Sequence, residues 1–164
     1  MTRVMLSLMI ISALLPAALL AADDKDQDVV QDLGAVLGWR LAPQVVEEQC
    51  RSVDPEGADA RKKLLQTWLD KNDGQIKAVD ARVAEIAPLL NPNANGADMV
   101  QAVRRHVGSL LIESIFEGKK GDEIKGLCQK EADPDNPRWS NTGMPDVQES
   151  LAAMYDWKVR HDKK

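Results

Sequence analysis

Between Val29 and Tyr155, apolar residues recur at steps of three and four for most of the chain, the spacing that puts them on one face of an α-helix. The first such run is Val29/Val30, Leu33, Val36/Leu37 and Leu41. It is preceded by Asp23, Asp24, Asp26 and Asp28, whose negative charge suits a helix N-terminus. Pro43 has no N–H to donate, so it is expected to kink or restart this helix, which then continues through Val45, Val46 and Cys50. Asp54-Pro55-Glu56 reads as an N-cap followed by proline at the first helical position. The helix it opens carries Leu64, Leu65, Trp68 and Leu69 and stops near Asn72. The next begins at Asp73-Gly74. Its stripe of Ile76, Val79, Val83, Ile86 and Leu90 is the most regular in the chain, with Pro88 expected to bend or end it near Ala87.

A turn-rich stretch over 91–96 separates this helix from a long one marked by Met99/Val100, Val103, Val107, Leu110/Leu111 and Ile115. That helix is expected to stop at Gly118. A shorter helix over 122–131 sets Ile124, Leu127 and Cys128 on one side. Prolines 134 and 137 then interrupt regular structure, and Trp139 lies in the irregular stretch. Pro145-Asp146 opens the last helix, with Val147, Leu151, Met154 and Tyr155 expected inward and a basic C-terminal end that suits the helix dipole. No segment alternates in the manner of a half-buried strand. The pattern predicts an all-α single compact domain of about five to seven helices over residues 23–164.

Residues 1–22 belong to a different class. Seventeen of them are apolar and Arg3 is the sole charged side chain. A basic start, an apolar core over Val4–Leu15, a break at Pro16 and the small pair Ala21-Ala22 make a secretory signal peptide, cut after Ala21 or Ala22. The competing reading is an uncleaved anchor, because residues 4–22 carry no charge and are long enough to span a bilayer. Export to the periplasm or the exterior is the expectation, and membrane association would come only through an uncleaved leader.

That compartment changes the meaning of the two cysteines. In an oxidising space Cys50 and Cys128 are expected to pair, the alternative being two buried free thiols. Their 78-position separation corresponds to roughly 4 kcal/mol in the chain-entropy account of disulfides. The full chain has a formal charge of −5, and beyond the leader 20 Lys and Arg stand against 26 Asp and Glu. With no basic stretch to neutralise phosphates, nucleic-acid binding is disfavoured.

Candidate chemistry is thin. Neither cysteine belongs to a CxxC pair, and His106 and His161 sit at no ligand spacing, so no metal site or cofactor is expected. Asp70-Lys71-Asn72-Asp73-Gly74 resembles the start of a calcium loop. It is one residue short, however, and lacks the bidentate glutamate at the twelfth position. No GxSxG elbow or phosphate loop appears. Carboxylates such as Glu47, Glu48, Glu113, Glu117 and Asp133 are abundant, and a hydrolase would need two of them to face each other in the fold. Four tryptophans accompany one phenylalanine and one tyrosine. Trp139 and Trp157 lie off the main stripes and are the candidates for a binding surface, the alternative being that they cap a core short of other large aromatics. The leading expectation is an exported, non-enzymatic helical protein that binds a protein partner. A small exported hydrolase and a calcium-responsive helical module are the alternatives.

Overall fold

A computed structural model describes residues 24–90, 96–136, 138–139 and 144–163. The leader expectation over residues 1–22 lies outside these. Six α-helices follow in order: α1 Asp24–Val53, α2 Ala58–Lys71, α3 Asp73–Leu90, α4 Gly96–Phe116, α5 Gly121–Glu131 and α6 Met144–His161. No strand occurs among the described residues, and the all-α expectation holds.

The first helix is the axis of the molecule, and each of the other five packs against it. Its stripe of Val29, Val30, Leu33, Val36 and Leu37 meets Val79, Val83, Ile86 and Ala87 of α3. Met99, Val103 and Val107 of α4 close the same core, with Val147, Met154 and Trp157 of α6. The directions follow from pairs along the lengths. The Trp157 indole N–H donates to Asp26 at 3.0 Å, so the end of α6 lies on the start of α1 and the two run antiparallel. Gln148 bonds Gln75 near the starts of α6 and α3, which run side by side. Burying these side chains in one continuous cluster supplies the main apolar drive for folding.

Neither proline ends its helix: α1 continues from Asp24 to Val53 with Pro43 inside it, and α3 runs through Pro88 to Leu90, so the restart at Pro43 and the end near Ala87 are not what occurs. Each proline removes one hydrogen bond from its helix. In α1, Leu37 before Pro43 and Val46 after it are both buried against neighbouring helices, and this packing holds the two halves together. Asp54 does stand at an N-cap with Pro55 just after it, but of a short turn and without a capping bond from its side chain. Pro55–Gly57 forms a short 3-10 turn, α2 starts only at Ala58, and the Asp54 carboxylate caps neither element. Only Asn72 separates α2 from α3. Its side chain donates to the Trp68 carbonyl at 2.7 Å, while its own carbonyl accepts from Ile76 N at 2.8 Å. At the end of α4, Gly118 adopts φ 71°, the left-handed conformation expected of a residue stopping a helix.

Candidate functional site

The disulfide end holds a buried polar network. Cys50 near the end of α1 and Cys128 near the end of α5 are joined, with Sγ–Sγ 2.00 Å and Cα–Cα 5.3 Å. Both are fully buried with Val46, against Ile115 and Phe116 from the last turn of α4 and Ile124 and Leu127 of α5. Arg61, reaching in from α2, is fully buried beside them. Its Nη1 donates to Asp54 Oδ2 at 2.5 Å and to the Cys128 carbonyl at 3.1 Å. Its Nη2 donates to the Cys50 carbonyl at 3.1 Å and to the Asp54 carbonyl at 2.5 Å. The guanidinium therefore occupies carbonyls at the ends of two helices, where the helix dipole favours a cation, and its charge is balanced by Asp54. Gly57 belongs to the same arrangement, because a Cβ there would strike both Asp54 Oδ2 and Arg61 Nη1.

The tryptophans do not lie where a binding surface would need them. Trp139 is 9% exposed and Trp157 is 7% exposed. Trp139 packs with Trp68 and Ile76, and its indole N–H donates to the Glu131 carbonyl at 3.0 Å, closing the end of α5. Arg138 beside it bonds both oxygens of the buried Glu131 carboxylate. Trp39 stacks obliquely on Trp68 with ring centroids 5.0 Å apart, filling the corner between α1 and α2. Trp157 belongs to the main core and stacks on His161, which is half-buried rather than free.

Tyr155 has the opposite fate. Expected inward, it is 52% exposed and lies against the Arg82 guanidinium, 5.0 Å from its ring centroid. The helix period explains the exchange. Trp157 follows Met154 by three residues and stays on the Val147–Met154 stripe, while Tyr155 follows by one and turns about 100° away. The same Arg82 donates to Glu85 at 2.7 Å, and further along α6 Lys158 pairs with Asp162 at 3.0 Å. The ring thus lies on the outside of α3 and α6 with a cation over its face.

Other candidate residues are not gathered into one place. Asp70 accepts from Gln66, and Asp73 pairs with Lys77 within α3, so the calcium-like segment is used by helix ends rather than by an open loop. Glu47 is buried and holds Arg51, whereas Glu48, Glu113, Glu117 and Asp133 are exposed. Among the described residues, no three His, Cys, Asp or Glu side chains cluster in a way that could hold a metal ion, and no helix is long and apolar enough to cross a membrane. Comparison with protein families, curated proteins and solved structures finds no match to this chain.

Proposed function

We propose that this is an exported helical protein that acts by binding a protein partner, and that the partner is met by the outer face of α3 and α6 around Tyr155. One observation carries the proposal: an exposed aromatic ring with the Arg82 guanidinium over its face. Tyrosine and arginine are the residue types enriched at interface centres, and a ring ordered before binding loses little entropy on association. The flanking Glu85 and the Lys158–Asp162 pair supply a charged rim of both signs. Export is supported by the leader composition and by the buried Cys50–Cys128 link, which belongs to an oxidising compartment.

The test compares what the exported wild-type protein captures with what Tyr155→Ala and Arg82→Ala capture. A protein retained by the wild type and lost in both variants, with helicity unchanged, is the expected result. Capture undiminished in both variants overturns the proposed face. Mass spectrometry of the exported protein checks the leader, with a mature start at Ala22 or Asp23 expected and an intact Met1 opposing it.

A further inference from the structure

The helices share the main core unequally. Its buried cluster draws on α1, α3, α4 and α6, and no side chain of α5 belongs to it. α5 packs chiefly on the second half of α1, where its own Ile124 and Leu127 are only half-buried beside Cys50 and Cys128. At 11 residues it is shorter than a helix that holds itself together in water. Beyond that modest apolar contact, the bond of Cys128 to Cys50 is what fastens it to α1.

The two ends of α5 are attached differently. At its start the chain passes through Gly118 and Gly121, both at positive φ (71° and 38°), so a residue type with unusual backbone freedom stands on either side of Lys119-Lys120. At its far end the Glu131 carbonyl accepts from the Trp139 indole, which is packed on Trp68 and Ile76, and the Lys130 carbonyl accepts from Asn136 Nδ2 at 3.0 Å. One end is a swivel and the other is pinned. Arg61, for its part, hardly depends on α5. Its bonds to the Asp54 carboxylate, the Asp54 carbonyl and the Cys50 carbonyl all lie on the α1 side, and only the one to the Cys128 carbonyl reaches across.

We infer that α5 is a flap over the second half of α1, latched by the disulfide, and that it undocks as a unit between Gly118 and its pinned end when that bond is broken. The reactant that opens it is a dithiol. One thiolate attacks a cysteine sulfur to form a mixed disulfide, and the other cysteine leaves as a thiolate. The second thiol then closes the reagent's own disulfide, so the protein gains two electrons and two protons that the dithiol loses. Both sulfurs are enclosed in the latched form, so exchange waits for local opening and is slow. Undocking bares Val46 and both cysteines, together with Ile115 and Phe116 at the end of α4. The contacts among α1, α3, α4 and α6 do not pass through α5 and persist. Arg61 keeps Asp54, which spares the open form an unpaired buried charge.

Amide hydrogen exchange of the full chain, oxidised and then fully reduced with dithiothreitol, tests this, with the gain of two thiols checked by mass. Reduction should cut protection over 121–131 by roughly a hundredfold or more and leave 29–37, 79–87 and 99–107 within about tenfold of their oxidised values. A chain carrying both Cys50→Ser and Cys128→Ser should show the reduced pattern without any reductant and should not respond to one. If that variant fails to fold, the reduced wild type still decides. Protection over 121–131 that survives reduction overturns the inference. So does a reduced protein that loses protection evenly through all its helices, because the disulfide would then guard the whole fold rather than one flap.

Discussion

The two ends of α1 are held by different physics. Around Val29–Leu37, fifteen buried side chains from four helices make one apolar cluster, with polar links such as Trp157 to Asp26 and Ser150 to Asp32 on its rim. Around Val46–Asp54 the apolar content is small, and the structure depends on a covalent link and on the buried guanidinium of Arg61 with its partner Asp54. Apolar packing is non-directional and shared among many neighbours, so any single side chain is partly replaceable. A buried ion pair is not, because removing one partner leaves the other charged and without water. The first region is redundant and the second is not.

The sharpest way to break that contrast is Arg61→Met. It leaves Asp54, 2% exposed, without its partner, and about 3–5 kcal/mol of stability should disappear in denaturant unfolding. A loss below 1 kcal/mol would remove the distinction between the ends. Replacing both cysteines by alanine should cost roughly 2–5 kcal/mol. Because Arg61 bonds the carbonyls of both cysteines, a double-mutant cycle between the two changes should be non-additive. Gly57→Ala should lose about 1–3 kcal/mol through its collision with Asp54 and Arg61, whereas the same change at Gly74, where a Cβ meets nothing within 4 Å, should be close to neutral or mildly stabilising. In the redundant region Ile86→Val, although fully buried, should cost only about 0.5–1.5 kcal/mol.

The smallest effect is one of pH. Burial raises the carboxyl pKa of Asp32 above the ordinary 3.8, and the Asp28 and Glu149 charges add to this, while a hydrogen bond from Ser150 opposes it. A raised folded-state pKa means that the protonated form favours the fold. The contribution is complete below the unfolded pKa of 3.8 and is lost as pH rises through the higher folded value. Asp32→Asn should therefore raise Tm relative to wild type at pH 7, and that advantage should vanish below pH 4. An equal shift at both pH values would show that ionisation of Asp32 is not involved.

How far the fold could be read from the chain follows the same division. The α3 stripe of Ile76, Val79, Val83 and Ile86 is buried as its period predicts, as are Val29–Leu37 of α1 at their apolar positions and Met99, Val103 and Val107 of α4, because the core-facing side of a helix is written in its own spacing; in α5 Ile124 and Leu127 are only half-buried. The pairing of Cys50 with Cys128 was legible from a count of two cysteines once export was expected. Arg61 was not. It stands in the charged run Arg61-Lys62-Lys63, which reads as a solvated face, and its burial depends on Asp54 seven positions earlier and Cys128 sixty-seven later. Tyr155 and Trp157 are a different kind of miss, since counting three residues onward from Met154 would have assigned both correctly.

The central position of α1 has a consequence in time. It comes first in chain order, yet the helix that covers its start, α6, comes last, and the Cys50 thiol has no partner until α5 has been made. During synthesis the apolar stripe of α1 waits for nearly the whole remaining chain, and the bond between Asp26 and Trp157 joins positions 131 residues apart. Local helices and the α1–α3–α4 part of the core can form early, but the α1–α6 contacts join distant stretches of chain, and such non-local closure slows folding. The face of α1 that α6 covers stays open until that last helix arrives.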